Sequence, residues 1–475
     1  MALWRSTVIV SAMTMLSRVL GLVRDIVLLN VFGAGKDFDT FVVAFRIPNF
    51  FRRLFAEGAF SQAFIPVLTE YKTGRTHAEV QILISRVFGC LMTVMTALTF
   101  IAMVAAPAVL YIYAPGFHAD PEKFDLAVSM FRLTIPYLLF MSLTAFASSI
   151  LNSYGSFASP AFSPVLLNVA MIAGAWWLTP YMAEPIMALG WAVIAAGVLQ
   201  LAIQIPELWH KKLLIPPKVD FKHEGVDRIM KLMLPALFGV SVTQINLLLN
   251  TIWASFMQDG SVSWLYSAER MTELPLGLIG VAIGTVILPA LSTRHAEQDM
   301  SKFRGMMDWA AKVIVLVGVP ASIALFMLST PIIQALFQRG QFTLEDTQMT
   351  ALALQCMSAG VISFMLIKVF APGFYAQQDT KTPVRVGLMA VAANAILNVV
   401  FIGFFKLIDW QAEHMALALA SSGSALVNAG MLYFYLHKRD IFRFGAHWKK
   451  LFIQFGISNA VMIVALWYAL TWYNG

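Results

Sequence analysis

The chain has 475 residues, 59% hydrophobic and only 12% charged, with a mean hydropathy of +0.73. A soluble globular domain carries about 25% charged residues, so the composition excludes a soluble fold and indicates an all-α polytopic membrane protein. The formal charge of +7 does not point to nucleic acid, because the basic residues gather in alternate loops.

Apolar runs recur along the chain, each long enough to cross roughly 30 Å of hydrocarbon. They are continuous rather than alternating, which selects helices over a barrel. Thirteen spans are predicted: 7–32, 38–64, 80–112, 126–151, 160–180, 185–206, 228–257, 263–291, 306–334, 345–371, 383–405, 413–436 and 449–471. Arg18 interrupts the first run and no clean cleavage site follows it, so this helix is expected to persist rather than be removed as a signal.

The first two spans hold five arginines: Arg18, Arg24, Arg46, Arg52 and Arg53. A charge near the bilayer centre costs about 2.5–3.5 kcal/mol on insertion scales and normally faces a bundle interior or a water-filled cavity. Seven-residue spacing puts Arg18 with Asp25, Asp39 with Arg46, and Arg46 with Arg53 on shared helix faces, and Glu57 follows Arg53 by four. Pro48 can kink the second span. One reading is structural, with ion pairs Arg18–Asp25, Arg53–Glu57 and Arg270–Glu273 fixing helix packing. The count favours the other: five arginines meet Asp25, Asp39 and Glu57, leaving two positive charges over (5 − 3 = 2). Those suit a pyrophosphate, since the guanidinium fork donates paired hydrogen bonds and stays charged when desolvated. Arg46 and Arg53 fit either reading.

Lys36-Asp37-Phe38-Asp39 has the form of a glycosyltransferase D-x-D, but its tight loop argues against that use. The sixth span leads into the longest polar segment, Lys211 to Lys231, with Pro216-Pro217 joining two halves. Gln244, Asn246 and Asn250 lie in the seventh span, and Glu269, Arg270 and Glu273 form a charged cluster in the eighth. Gly277, Gly280 and Gly284 make a small-residue face there, read as close helix packing. Asn394 and Asn398 share a face of the eleventh span. They are a weak ion-site candidate beside the commoner use, interhelical hydrogen bonding. Cys90 and Cys356 fall within spans and support neither a disulfide nor a metal site. No G-x-x-x-x-G-K-[ST] loop occurs, which argues against ATP hydrolysis.

The positive-inside rule places the N-terminus in the cytoplasm. Lys72, Arg75, Lys211, Lys212, Arg294, Lys302, Lys381, Arg385 and Lys438 to Lys450 fall on one side; acids such as Asp120, Glu122, Glu184, Glu345 and Asp346 dominate the other. An internal repeat is also visible. Gly58 to Leu68 resembles Gly280 to Leu291, and Pro66/Pro289 and Pro160/Pro383 share an offset of 223 (289 − 66; 383 − 160). Repeats of this kind are a transporter architecture.

The run Arg52-Arg53-Leu54-Phe55-Ala56-Glu57-Gly58-Ala59-Phe60-Ser61-Gln62-Ala63-Phe64-Ile65-Pro66 resembles the signature of the MurJ (MviN) lipid II flippases. Ser17-Arg18-Val19-Leu20-Gly21-Leu22-Val23-Arg24-Asp25 and Ala371-Pro372-Gly373-Phe374-Tyr375 with Lys381-Thr382-Pro383 look like further family motifs. The resemblance implies a multidrug/oligosaccharidyl-lipid/polysaccharide exporter fold, two six-helix lobes forming a V around a central cationic cavity. It implies domains 1–210 and 228–440 for the lobes, 211–227 for the linker, and 441–475 for a thirteenth helix, with the family's usual fourteenth absent.

It further implies a transporter, not an enzyme, serving peptidoglycan biosynthesis and cell shape. The cargo would be lipid II, the undecaprenyl-pyrophosphate disaccharide-pentapeptide, moved between leaflets of the bacterial inner membrane. Expected partners are lipid II, membrane lipids and cell-wall synthesis proteins. Positions matching Arg18, Arg24, Arg52 and Arg270 are required in the family, and those matching Arg24, Arg52 and Arg270 converge on the pyrophosphate. All four are expected here to bind substrate, with Asp25, Asp39, Arg53, Glu57, Glu269 and Glu273 as gating or charge partners. The family's sodium site uses carboxylates where Asn394 and Asn398 stand here, which argues against sodium coupling and leaves membrane potential as a driver without a cofactor. Two alternatives remain. A flippase for another polyprenyl-pyrophosphate glycan fits the same charge logic, and a drug/cation antiporter of the superfamily would need an acidic cavity.

Overall fold

The computed structural model describes residues 2–54 and 60–474, with side chains undescribed at 2–9, 54, 235–244, 278, 281–282, 285, 446–447 and 473–474. Within that span the chain is nearly all helix, with no strand among the described residues. Two compact units emerge. The first comprises 1–244 with the short segments 258–260 and 339–342; the second comprises 245–257, 261–338 and 343–475.

The first unit contains α1 (Ala2–Phe32), α2 (Lys36–Leu54), α3 (Phe60–Gly74), α4 (His77–Val104), α5 (Ala106–Tyr113), α6 (Pro121–Thr134), α7 (Tyr137–Ser153), α8 (Ala158–Ala173), α9 (Met187–Ala202) and α10 (Ile205–His210). Helix α11 (Glu224–Ala254) is shared between the units. The second unit contains α12 (Ser261–Pro275), α13 (Val281–Ala296), α14 (Met300–Met327), α15 (Ser329–Phe337), α16 (Leu344–Tyr375), α17 (Lys381–Leu407), α18 (His414–Lys438) and α19 (Ala446–Asn474).

Among the described residues, nine helical segments are long and apolar enough to cross a membrane, and the protein is a multi-pass membrane protein. The other four expected spans are not among these nine. Helix α1 carries Arg18, Arg24 and Asp25, the 38–64 span runs through residues 55–59 outside the described chain, and part of α11 lacks described side chains. The 263–291 span is divided at Pro275, where a π-turn at Leu276–Gly280 separates α12 from α13.

The two units repeat one packing plan. Helices α3, α4 and α7 pack mutually, as α13, α14 and α16 do; α9 joins α7 and α8 as α18 joins α16 and α17; α2 lies on α6 and α7 as α12 lies on α16. The helix starts repeat as well. Thr76 caps α4 through a capping box with Glu79, and Asp299, 223 residues later (299 − 76), caps α14 through the Lys302 N–H. Asp120 caps α6, and Thr343, again 223 later (343 − 120), caps α16 in a capping box with Asp346. Each cap satisfies N–H groups that a helix cannot bond internally.

The segment 211–227 is pinned along α4. The Lys218 N–H donates to the Ser85 carbonyl at 3.0 Å, the Ser85 hydroxyl to the Pro216 carbonyl at 2.7 Å, and the Gln81 amide to the Lys212 carbonyl at 2.7 Å.

Candidate functional site

In the first unit, α1 and α8 pack side by side and bury Arg24 between them. Its Nε and Nη2 donate to Asp25 Oδ1 at 3.0 and 2.6 Å, and Nη1 donates to Asn168 Oδ1 at 3.0 Å. Asn168 in turn donates its Nδ2 to the Ser17 carbonyl at 3.0 Å. The Arg18–Asp25 pair of the structural reading does not form: Asp25 is held by its neighbour Arg24, while Arg18 is exposed and makes no ion pair among the described residues. Shared-face spacing favoured the seven-residue pair, but Arg24 and Asp25 are buried together while Arg18 faces outward.

Helix α2 continues through Pro48. Arg46 is buried, and Arg52 and Arg53 are half-buried, with Arg52 Nε donating to Asn49 Oδ1 at 2.8 Å. Glu57, the expected partner of Arg53, lies outside the described residues. At the start of α2, Asp39 is almost fully buried and accepts from Lys123 Nζ at 3.4 Å and from the Gly260 N–H at 2.8 Å. Lys123 also bonds Asp259 at 2.5 Å and stands over the Phe117 ring. Nearby, Lys36 bridges Asp120 at 2.9 Å and Glu122 at 2.6 Å. The bonds from Glu122 and then Asp120 raise the Lys36 pKa, and Lys36 holds the Asp120 carboxyl below its ordinary value. Within the D-x-D-like run, Lys36 and Asp39 are thus engaged in ion pairs.

Beside this cluster the segment 339–342 is seated on the α1–α2 turn, with the Gln341 N–H donating to the Asn30 carbonyl at 2.9 Å. Gly33 (φ +69°) and Gly340 (φ +59°) have left-handed backbone here, and a Cβ on Gly340 would overlap Asn30.

In the second unit, Arg270 donates Nη1 to Glu273 Oε2 at 3.0 Å and Nη2 to the Tyr266 hydroxyl at 3.2 Å, its guanidinium lying over the Tyr266 ring. All three sit on α12. Glu269 beside them is half-buried. Asn394 and Asn398 of α17 are fully buried and donate to Asn250 Oδ1 of α11 at 2.9 and 3.2 Å, while Asn250 donates to Ser421 Oγ at 2.8 Å. The Oδ1 atoms of Asn246, Asn394 and Asn398 are buried without a hydrogen-bond partner among the described residues. This donor set is neutral throughout. Of the small-residue face, Gly280 and Gly284 lie against Met365 and Lys368 of α16.

The motif around Thr382 forms a structural corner. Asp379 accepts from the Thr382 hydroxyl at 2.6 Å, the Thr382 N–H at 3.0 Å and Arg439 Nη1 at 2.7 Å. Burial pushes the Asp379 carboxyl up, but Thr382 and Arg439 together hold it down to about 2.

A family model described as lipid II flippase MurJ matches residues 28–475. The chain belongs to the MurJ family of lipid II flippases. A probable lipid II flippase MurJ from Vibrio cholerae is 44% identical over 98% of this chain and 89% of that protein. One from Haemophilus influenzae is 45% identical over 96% and 90%, and a lipid II flippase MurJ from Burkholderia cenocepacia is 40% identical over 98% and 89%. Among solved structures, a lipid II flippase MurJ in an inward closed conformation has a TM-score of 0.82 at 26% identity, covering 97% of this chain and 93% of that one. An inward-facing MATE multidrug transporter has a TM-score of 0.71 at 12% identity, a likeness of fold alone. The fold is that of MurJ and of MATE-like transporters of the MOP superfamily.

Sequence reasoning missed three residues. Asn168 joins Arg24 to α1, Lys123 holds Asp39, and Lys368 is an exposed lysine within the membrane-crossing α16. Lys368 was findable as the single charged residue between Asp346 and Asp379. Asn168 and Lys123 were not, since their partners lie 144 and 84 residues away.

Proposed function

We propose that this chain flips lipid II from the cytoplasmic to the periplasmic leaflet of a bacterial inner membrane, with its N-terminus in the cytoplasm and by alternating access. It makes and breaks no covalent bond. The observation that carries this reading is the arginine surplus in the membrane-embedded helices α1 and α2, within a chain of the MurJ family. Arg18, Arg24 and Arg52 in the first unit and Arg270 in the second bind the pyrophosphate, each guanidinium offering paired N–H donors. The prenyl tail stays in lipid throughout. Asp25, Asp39, Glu269 and Glu273 hold or trade these cations, and Arg53 with Glu57 completes the set.

No coupling ion is needed in this reading. The oxygens of Asn246, Asn394 and Asn398 carry no charge to offset the desolvation of a cation, and the amide cluster serves as an interhelical clamp. Membrane potential supplies about 2.3 kcal/mol per charge per 100 mV, enough to bias a charged moving part. Cell-wall synthesis proteins are the natural recipients of the flipped product.

The test is headgroup translocation in vesicles carrying lipid II. Arg52→Ala and Arg270→Ala are expected to abolish transport while leaving the protein folded; full activity in both would overturn the assignment. Thermal-shift titration with lipid II against an O-antigen-type polyprenyl-pyrophosphate separates the two glycan readings.

A further inference from the structure

The geometry points to Asn168 as a positioning residue for Arg24, the amide that aims the guanidinium at the substrate's pyrophosphate. This rests on the proposed role of Arg24 in substrate binding. Asp25 accepts along one edge of the guanidinium, with Nε and Nη2 converging on Oδ1. Asn168 pins the opposite end through Nη1 at 3.0 Å.

The amide itself has only one workable orientation. Its Oδ1 faces a cation that can only donate, and its Nδ2 faces the Ser17 carbonyl, which can only accept. A flipped amide would lose both bonds. Asn168 is 5% exposed, so neither bond can be replaced by bulk water. Both ends of the side chain land on the motif Ser17-Arg18-Val19-Leu20-Gly21-Leu22-Val23-Arg24-Asp25, at its first residue and at its arginine. Asp25 thus supplies the charge that keeps Arg24 in the α1–α8 seam, and Asn168 supplies its direction.

A double-mutant cycle on lipid II binding tests this, using purified full-length chain. Asn168→Leu keeps the side-chain volume and removes both hydrogen bonds. It is expected to weaken lipid II binding about tenfold, the scale of one charge-assisted hydrogen bond. In an Arg24→Ala background the same change is expected to cost nothing further, because a residue acting through Arg24 has nothing left to aim. An additive loss in the double variant would show that Asn168 acts on the fold alone, and unchanged affinity in Asn168→Leu would show that it does not act; either overturns the inference. If Arg24→Ala itself leaves lipid II affinity unchanged, the arginine assignment falls, and this inference with it. Asn168→Ser, which shortens the reach to Nη1, carries the same cycle should the leucine variant fail to fold.

Discussion

The two units share a helix-packing plan but keep their charges differently. In the first, Arg24 and Asp25 have side chains 7% and 3% exposed, and Lys123 and Asp39 are 5% and 1% exposed. In the second, Arg270 and Glu273 are 30% and 47% exposed and pair within one helix. A buried pair is costly to break because the abandoned charge has no water, whereas a half-exposed pair contributes little and can be exchanged for a ligand. The Arg24–Asp25 pair is therefore fixed in place by its burial, whereas the Arg270–Glu273 pair is open to exchange.

Substitutions can break this contrast. Arg24→Ala leaves Asp25 buried without its guanidinium and is expected to destabilise by about 3–5 kcal/mol, read as a lowered unfolding midpoint in detergent. Asp25→Asn added to it should recover part of the loss. Lys123→Ala is expected to cost about 3 kcal/mol, since the Gly260 N–H still bonds Asp39. Asp39→Asn should rescue that variant and Asp259→Asn should not, because Asp259 is already half-exposed. Gly340→Ala forces a side chain into left-handed backbone against Asn30, at about 1–3 kcal/mol; faster amide exchange at Gln341 would report it. Arg270→Ala should change stability by less than about 1 kcal/mol while abolishing translocation, and a large stability loss there would dissolve the contrast.

The smallest effect concerns Asp379. Its folded value of about 2 lies below the ordinary 3.8, so its contribution is fully present above pH 3.8 and is lost as pH falls through about 2. Arg439→Gln should move that loss to higher pH, measured as amide exchange at Thr382 across an acid titration.

Much of this was legible in advance. The helical class, the charged clusters on the first, second and eighth spans, and the 223-residue offset all follow from hydropathy and spacing along one chain. The caps at Thr76, Asp120, Asp299 and Thr343 extend that offset, and they too lie in the sequence, though their role shows only once the helix starts are placed. Helical periodicity states which residues of one helix share a face, and it suggested Arg18 for Asp25. It is silent about the neighbouring helix, and α8 gave Arg24 a second anchor in Asn168.

The sequence by itself determined that this is a multi-span membrane protein with more arginines than acids in its first two spans, because hydropathy and charge are additive properties of residues. Only the tertiary structure decided which arginines are buried, which acid holds Arg24, and which lysine 84 residues away takes Asp39. Pairing in a low-dielectric interior depends on desolvation and direction, and both are properties of packed helices rather than of any one of them.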